Sequence, residues 1–365
     1  MRTGVRRLAG FASAVVVSSV VMLALAAPAA AHTVTGVAPT NYRSQLLGVT
    51  PAVPGLTVRL LDLGRRVQLT NRGPTEVVVM GYQAEPYLRV GPSGVYENRR
   101  APALYQNRTV PPGVTATTLP AIADARAAPD WQRVSGGRSV RWRDRRTRWE
   151  GPAPEGVRRH PGTTRVVSEW SLPLTDVDRG APVAVTGTIT WVPRPNLALW
   201  LLVALALVAV PLAMAATRWG APLLACCLGV MVALDIVHTV GLAVAARDPA
   251  WKEALTVLFG SDSISVFAWI AAAMAVGPLQ RWQEGGLVTA GIAGLVIAIL
   301  GGASDVGSLT HSQIAVSFSP ALARSAVVTS LGLGLGLAAV TALVGRGLSQ
   351  HRPALEARWG RMARR

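Results

Sequence analysis

Cysteine is nearly missing from this 365-residue chain: Cys226 and Cys227 are the pair present, adjacent in a hydrophobic run, so no disulfide framework holds an exported portion. Lysine is rarer still, Lys252 standing alone, and nearly all positive charge is therefore guanidinium. Guanidinium stays protonated and grips carboxylates or phosphates through forked hydrogen bonds. Charged residues make up 15% and aromatic residues 5%, while 50% are hydrophobic. That balance excludes a disordered chain and an ordinary soluble protein, and points to a membrane protein. Also missing are a nucleophile elbow, an HExxH helix, a P-loop and a dinucleotide fingerprint, so the chain reads as non-enzymatic.

Charge and apolar character are unevenly spread. Arg2, Arg6 and Arg7 precede an apolar stretch from Leu8 to Ala27 and an A-x-A site at Ala29 to Ala31, which reads as a signal peptide over 1–31; the alternative is an uncleaved first membrane helix. Residues 32–195 carry 22 Arg against 12 Asp plus Glu, and 346–365 form a basic tail. Segments long and apolar enough to span a bilayer fall between, within 196–345. A basic exported domain attracts acidic wall polymers or lipid headgroups, and nucleic acid is not expected in that compartment.

The exported part reads as strands. Val58 to Leu60 and Val67 to Leu69 alternate apolar and polar residues around a turn at Asp62 to Arg65, a hairpin with one buried face. Thr75 to Tyr82, Tyr87 to Val90 and Gly94 to Glu97 continue the pattern between Gly, Pro and Asn punctuation. Arg165 to Leu174 and Val183 to Val192 make a second hairpin around Asp176 to Gly180, and the stretches 121–130 and 151–164 read as loop. Many short strands without an amphipathic helix predict an extracytoplasmic all-β immunoglobulin-like sandwich.

Three features of this domain are candidates for chemistry. His32, the mature N-terminus after cleavage, joins a terminal amine to an imidazole, a chelate suited to Cu(II), with His160 and Met80 as further candidate ligands. The run from Arg138 to Glu150 includes Arg141, Trp142, Arg143, Arg145, Arg146, Arg148 and Trp149, which suits an anionic polymer or partner protein, or else a charge-protected edge strand. As one strand it would place Trp142, Asp144, Arg146 and Arg148 on a shared face. Third, the stretch Gly81 to Arg89 and its continuation from Tyr96 to Arg108 are rich in Tyr, Asn, Glu and Arg, and Glu85 with Arg89 is a candidate ion pair.

The stretches GYQAEPYLRV, GVYENRRAPALYQNR, RWRDRRTRWEG and GTITWVPRP resemble an uncharacterised family of actinobacterial exported multi-pass membrane proteins. Members of that family tend to carry WHDHRxHWM in the third stretch, with histidines where this chain has Arg143, Arg145 and Arg148. If those histidines hold a metal, the resemblance implies that the site is lost here. The layout of signal, His-initiated sandwich and membrane helices is also similar to copper-resistance proteins of the CopC and CopD type, although no D-x-H counterpart of their second ligand set precedes Pro195.

Five membrane segments are expected: 196–216, 221–245, 254–277, 286–302 and 321–345, the fourth being short and glycine-rich. With the N-terminus outside, five spans put Arg218, Arg281 and the tail on the cytoplasmic face, as the positive-inside rule prefers. Asp235 and His238, three residues apart, share a helix face, and Asp262, Asp305 and His311 fall toward the same outer side. Ionisable groups in a bilayer are expensive, so they are candidates for a metal site or proton relay, or for a structural hydrogen-bond network. Two functions follow: copper handling through His32, Asp235, His238, Asp262, Asp305 and His311, or non-enzymatic docking of an envelope protein or anionic wall polymer on the Arg and Trp surface.

Overall fold

A computed structural model describes residues 37–108, 119–246, 263–281 and 283–362. The expected signal peptide, His32 and Asp262 lie outside the described residues. The chain divides into two compact units, Thr40–Arg194 and a helical unit that includes Pro195–Arg365.

The first unit is built from antiparallel strands in two sheets. The larger has the order β1 (Tyr42–Thr50), β10 (Ala181–Trp191), β9 (Arg165–Asp176), β4 (Val77–Met80), β5 (Pro86–Gly91), β6 (Gly94–Asn98), β7 (Trp131–Ser135). The smaller has the order β2 (Leu56–Leu61), β3 (Arg66–Asn71), β8 (Ser139–Arg143). Both expected hairpins are present. The β9–β10 turn forms because Asp176 Oδ1 accepts from the backbone of Asp178 at 3.2 Å and Arg179 at 3.3 Å, an Asx turn closed by Gly180 at φ 60°. Alternate residues face inward, Val67 and Leu69 from the small sheet and Val77, Val79, Leu172, Leu174, Val183 and Val185 from the large one, and they join in one core. The seven-to-three division of strands differs from the four-and-three division of an immunoglobulin-like sandwich, because β5, β6 and β7 add in succession beyond β4 while β1 adds on β10. Two five-residue helices, α1 (Pro102–Gln106) and α2 (Glu155–Arg159), lie in the connections.

The helical unit contains α3 (Leu197–Ala215), α4 (Gly220–Ala246), α5 (Ser263–Gln280), α6 (Glu284–Ile297), α7 (Gly307–Thr310) and α8 (Pro320–Met362). Among the described residues four stretches are long and apolar enough to cross a membrane: Leu197–Ala215, Gly220–Leu242, Glu284–Ala303 and Pro320–Val344. The chain is accordingly a multi-pass membrane protein. The glycine-rich fourth segment of the sequence reading qualifies because α6 continues through a π-helical turn, Ala298–Ala303. The third is represented by a shorter apolar helix, Ser265–Gln280, its expected first half lying outside the described residues. Exposed Leu202, Phe267, Met274 and Ile292 give the helices apolar outer faces suited to lipid. Helix α8 runs beyond its apolar stretch, through the expected basic tail, to Met362.

Helix α8 packs on α3, α4 and α6. Its Leu-Gly repeat explains how: a methyl group on Gly336 would sit 2.7 Å from the carbonyl oxygen of Val208 in α3, and one on Gly334 would collide with Gly294 of α6. Small residues thus let the backbones approach closely.

Candidate functional site: an arginine platform and a buried polar cluster

In the first unit the arginine-rich run is not one continuous strand. Strand β8 stops at Arg143, and Asp144 caps a single helical turn, Arg145–Thr147, by accepting from the backbone of Arg146 at 3.1 Å. The alternation expected of a strand therefore breaks, since the buried Asp144 outcompetes the sheet for that backbone donor. Asp144 is the hub. It accepts from the indole of Trp142 at 3.0 Å and from Arg146 Nε at 2.9 Å and Nη2 at 2.8 Å. Burial alone would lower the pKa of Arg146, but hydrogen bonding and charge from Asp144 outweigh it and raise the value. Arg146 also donates to the Met80 carbonyl at 3.2 Å and lies over the Tyr82 ring at 4.9 Å. Of the residues expected at a binding surface, Trp142 is thus buried in the domain and Arg146 half-buried.

The outward residues are Arg143 and Arg145, both exposed, with Arg141 half-buried and donating to Gln68 at 3.3 Å. Strand β8 is the edge of its sheet, so Arg141 and Arg143 also protect that edge from pairing. Arg143 lies directly opposite Arg66, whose own charge is paired with Asp62. Arg148 pairs with Glu150, and Arg145 Nε stands 3.8 Å from the same carboxylate. Trp149 is half-buried, stacked on Tyr42 with ring centroids 5.8 Å apart.

The expected Glu85–Arg89 ion pair does not form. Glu85 is buried and accepts from the backbone of Gln83 at 2.8 Å and Ala103 at 3.1 Å, fixing the turn before β5. Arg89 instead faces Glu76 at 3.5 Å and lies over the Tyr96 ring at 4.3 Å. His160 is exposed at the end of α2, and Met80 contributes its carbonyl to Arg146.

In the helical unit, the polar residues separate into three groups rather than one. His238 Nε2 meets Asp305 Oδ2 at 3.0 Å, and both are largely buried. Asp235, one turn away on α4, accepts instead from Trp269 Nε1 at 2.8 Å and Ser330 Oγ at 3.4 Å. Gly301, in the π-helical turn, abuts that carboxylate so closely that a side chain there would overlap it. His311 turns back on its own segment, Nδ1 lying 2.9 Å from the Gly307 carbonyl and 3.0 Å from Thr310 Oγ1. Among the described residues no group of three or more His, Cys, Asp and Glu is placed to hold a metal ion. Copper binding therefore draws no support from Asp235, His238, Asp305 and His311 as they are arranged, while His32 and Asp262 lie outside the described residues.

One residue central to this unit escaped the sequence reading. Arg324, buried in α8, donates through Nε to the Ser308 carbonyl at 2.9 Å and through Nη2 to those of His311 at 2.8 Å and Ser312 at 3.0 Å. A cation there satisfies the carbonyls at the end of α7. Its signal was available, a lone Arg four residues into an apolar run after Pro320. Trp269 and Ser330 had none, being ordinary residues of apolar helices.

Comparison with protein-family models, with curated proteins and with solved structures finds no match to this chain.

Proposed function

We propose that this chain is a non-enzymatic envelope protein that docks an anionic wall polymer on its exported β unit and is held in the plasma membrane by its helices. In this reading α5 completes a fifth span, the N-terminal unit lies outside, and the C-terminus is cytoplasmic. The observation that carries it is the outward row Arg141, Arg143 and Arg145, fixed from beneath by the buried Asp144 and Trp142 and the half-buried Arg146. A rigid base limits the entropy lost when those guanidinium groups engage oxyanions, and forked donors match phosphate or carboxylate repeats. Intramembrane Asp235, His238 and Arg324 serve packing in the same reading, each meeting a polar partner on another helix or segment.

The test is retention of the full-length protein, in detergent, on immobilised polyphosphate and polyglutamate beside neutral dextran. Retention on the polyanions should fall steeply as salt is raised, since exposed charges are screened beyond about 10 Å at 0.1 M ionic strength. It should be lost when Arg141, Arg143 and Arg145 are all replaced by Gln. Equal retention on dextran, or a triple variant that binds like the parent, defeats the proposal.

A further inference from the structure

A cavity separate from the outward arginine row lies in the β unit. Its volume is about 470 Å³, and its walls include Tyr42, Ser44, Leu63, Arg65, Arg148, Trp149 and Glu150. Pockets for small molecules run from roughly 300 to 1,000 Å³. One wall comes from a strained turn. Asp62 and Leu63 adopt φ of 53° and 57°, the left-handed region that a branched side chain such as leucine rarely occupies. Such strain persists only where the surroundings enforce it, and it concentrates at ligand-holding turns. Here the turn sets Leu63 and Arg65 facing Ser44 and Tyr42 of β1.

The walls carry two guanidinium groups and one carboxylate. Arg65, half-buried, has its pKa lowered by burial and then by the neighbouring charges of Arg148 and Arg143. Among the lining residues Arg65 and Arg148 stand against Glu150, which pairs with Arg148, so the walls carry one net positive charge. Two donors on lining residues, Arg148 Nε and Ser44 Oγ, are buried with no hydrogen-bond partner. An unmatched buried donor is unfavourable, and an acceptor brought by a ligand would relieve it. Tyr42 and Trp149, stacked at 26° between ring planes, add a flat aromatic wall.

We propose that this cavity binds the phosphate group of a small soluble phosphate ester, the oxyanion held between Arg65 and Arg148 with Ser44 donating, and the rest of the ligand against Tyr42 and Trp149. A tetrahedral oxyanion accepts from donors on several sides, as Arg65, Arg148 Nε and Ser44 Oγ are placed to donate, where a planar carboxylate does not. The site shares with the docking reading its guanidinium chemistry, but not Arg141, Arg143 or Arg145, on which that reading is tested. The two therefore fail separately.

The experiment is a titration of the full-length protein, in nanodiscs of neutral lipid, with inorganic phosphate and with glycerol phosphate, read by calorimetry and tryptophan fluorescence. Saturable binding is expected, weakened about tenfold or more by Arg65→Gln or Arg148→Gln and about threefold by Ser44→Ala. Ser44→Ala serves if an arginine variant fails to fold, and Arg141→Gln should bind phosphate like the parent. Lack of saturation with both probes overturns the proposal, as does unchanged affinity in Arg65→Gln and Ser44→Ala. Flotation with phosphatidylglycerol vesicles, with no affinity for the free esters, also overturns it and assigns the charge to a lipid surface.

Discussion

The β unit and the helical unit each bury an aspartate at 1% exposure, and each offers it a tryptophan indole: Trp142 to Asp144 at 3.0 Å, Trp269 to Asp235 at 2.8 Å. They differ in where the partners come from. Asp144 draws on residues two positions to either side, and one of them, Arg146, brings a full compensating charge. Asp235 draws on residues 34 and 95 positions away, on other helices. A strand-to-turn junction can thus build its charged hub locally before the sheets close, whereas a buried carboxylate in a membrane helix is matched only once the bundle has assembled. Local hubs make rigid surfaces, and dispersed ones lock helices to one another.

Three experiments break or sharpen that contrast. The largest effect is expected from Asp144→Ala, which strands the half-buried Arg146 charge and the Trp142 indole together. Removing one partner of a buried pair costs about 3–5 kcal/mol, read from the shift in urea midpoint of the β unit; a shift worth under about 1 kcal/mol would show that the hub is not structural. Next, Asp235→Ala should destabilise the helical unit by about 2 kcal/mol in detergent, with Asp235→Asn recovering most of it by keeping an acceptor for Trp269. If Asn is as harmful as Ala, charge rather than hydrogen bonding matters at that position. The smallest effect is the pH response of the β unit. Burial raises the phenol pKa values of Tyr82 and Tyr87, so the folded state favours the neutral phenol. That contribution is present in full below the ordinary phenol value, about 10, and is lost as pH rises through and beyond it. Unfolding midpoints should therefore decline above about pH 10, less steeply in Tyr82→Phe; a flat profile to about pH 11 would contradict the burial of these rings.

The contrast also accounts for what was readable beforehand. Both β hairpins could be placed because their signals are local: alternation in Val67 to Leu69, turn chemistry at Asp176 to Gly180. Strand β1 was missed, since Tyr42 to Thr50 has weak alternation and its partner β10 is more than a hundred residues later. The arginine run was recognised as a feature, but its geometry was misjudged, because only the capping by Asp144 decides that the strand ends at Arg143. In the membrane helices, Asp235 and His238 were singled out by their charge, yet their actual partners, Trp269, Ser330 and Asp305, are set by how helices rotate against one another.

What the amino-acid sequence determined by itself is composition acting through solvent: apolar runs of membrane length, an arginine-rich β-patterned region with no cysteine to staple it, and hairpins closed by their own turns. These depend on transfer free energy and short-range backbone chemistry, which neighbouring residues suffice to express. Tertiary structure alone decided which arginines face outward, which are buried beneath them, and that Arg65 and Arg148, far apart in the chain, line one cavity. Long-range pairing depends on strand register and close packing, and no local pattern carries that information.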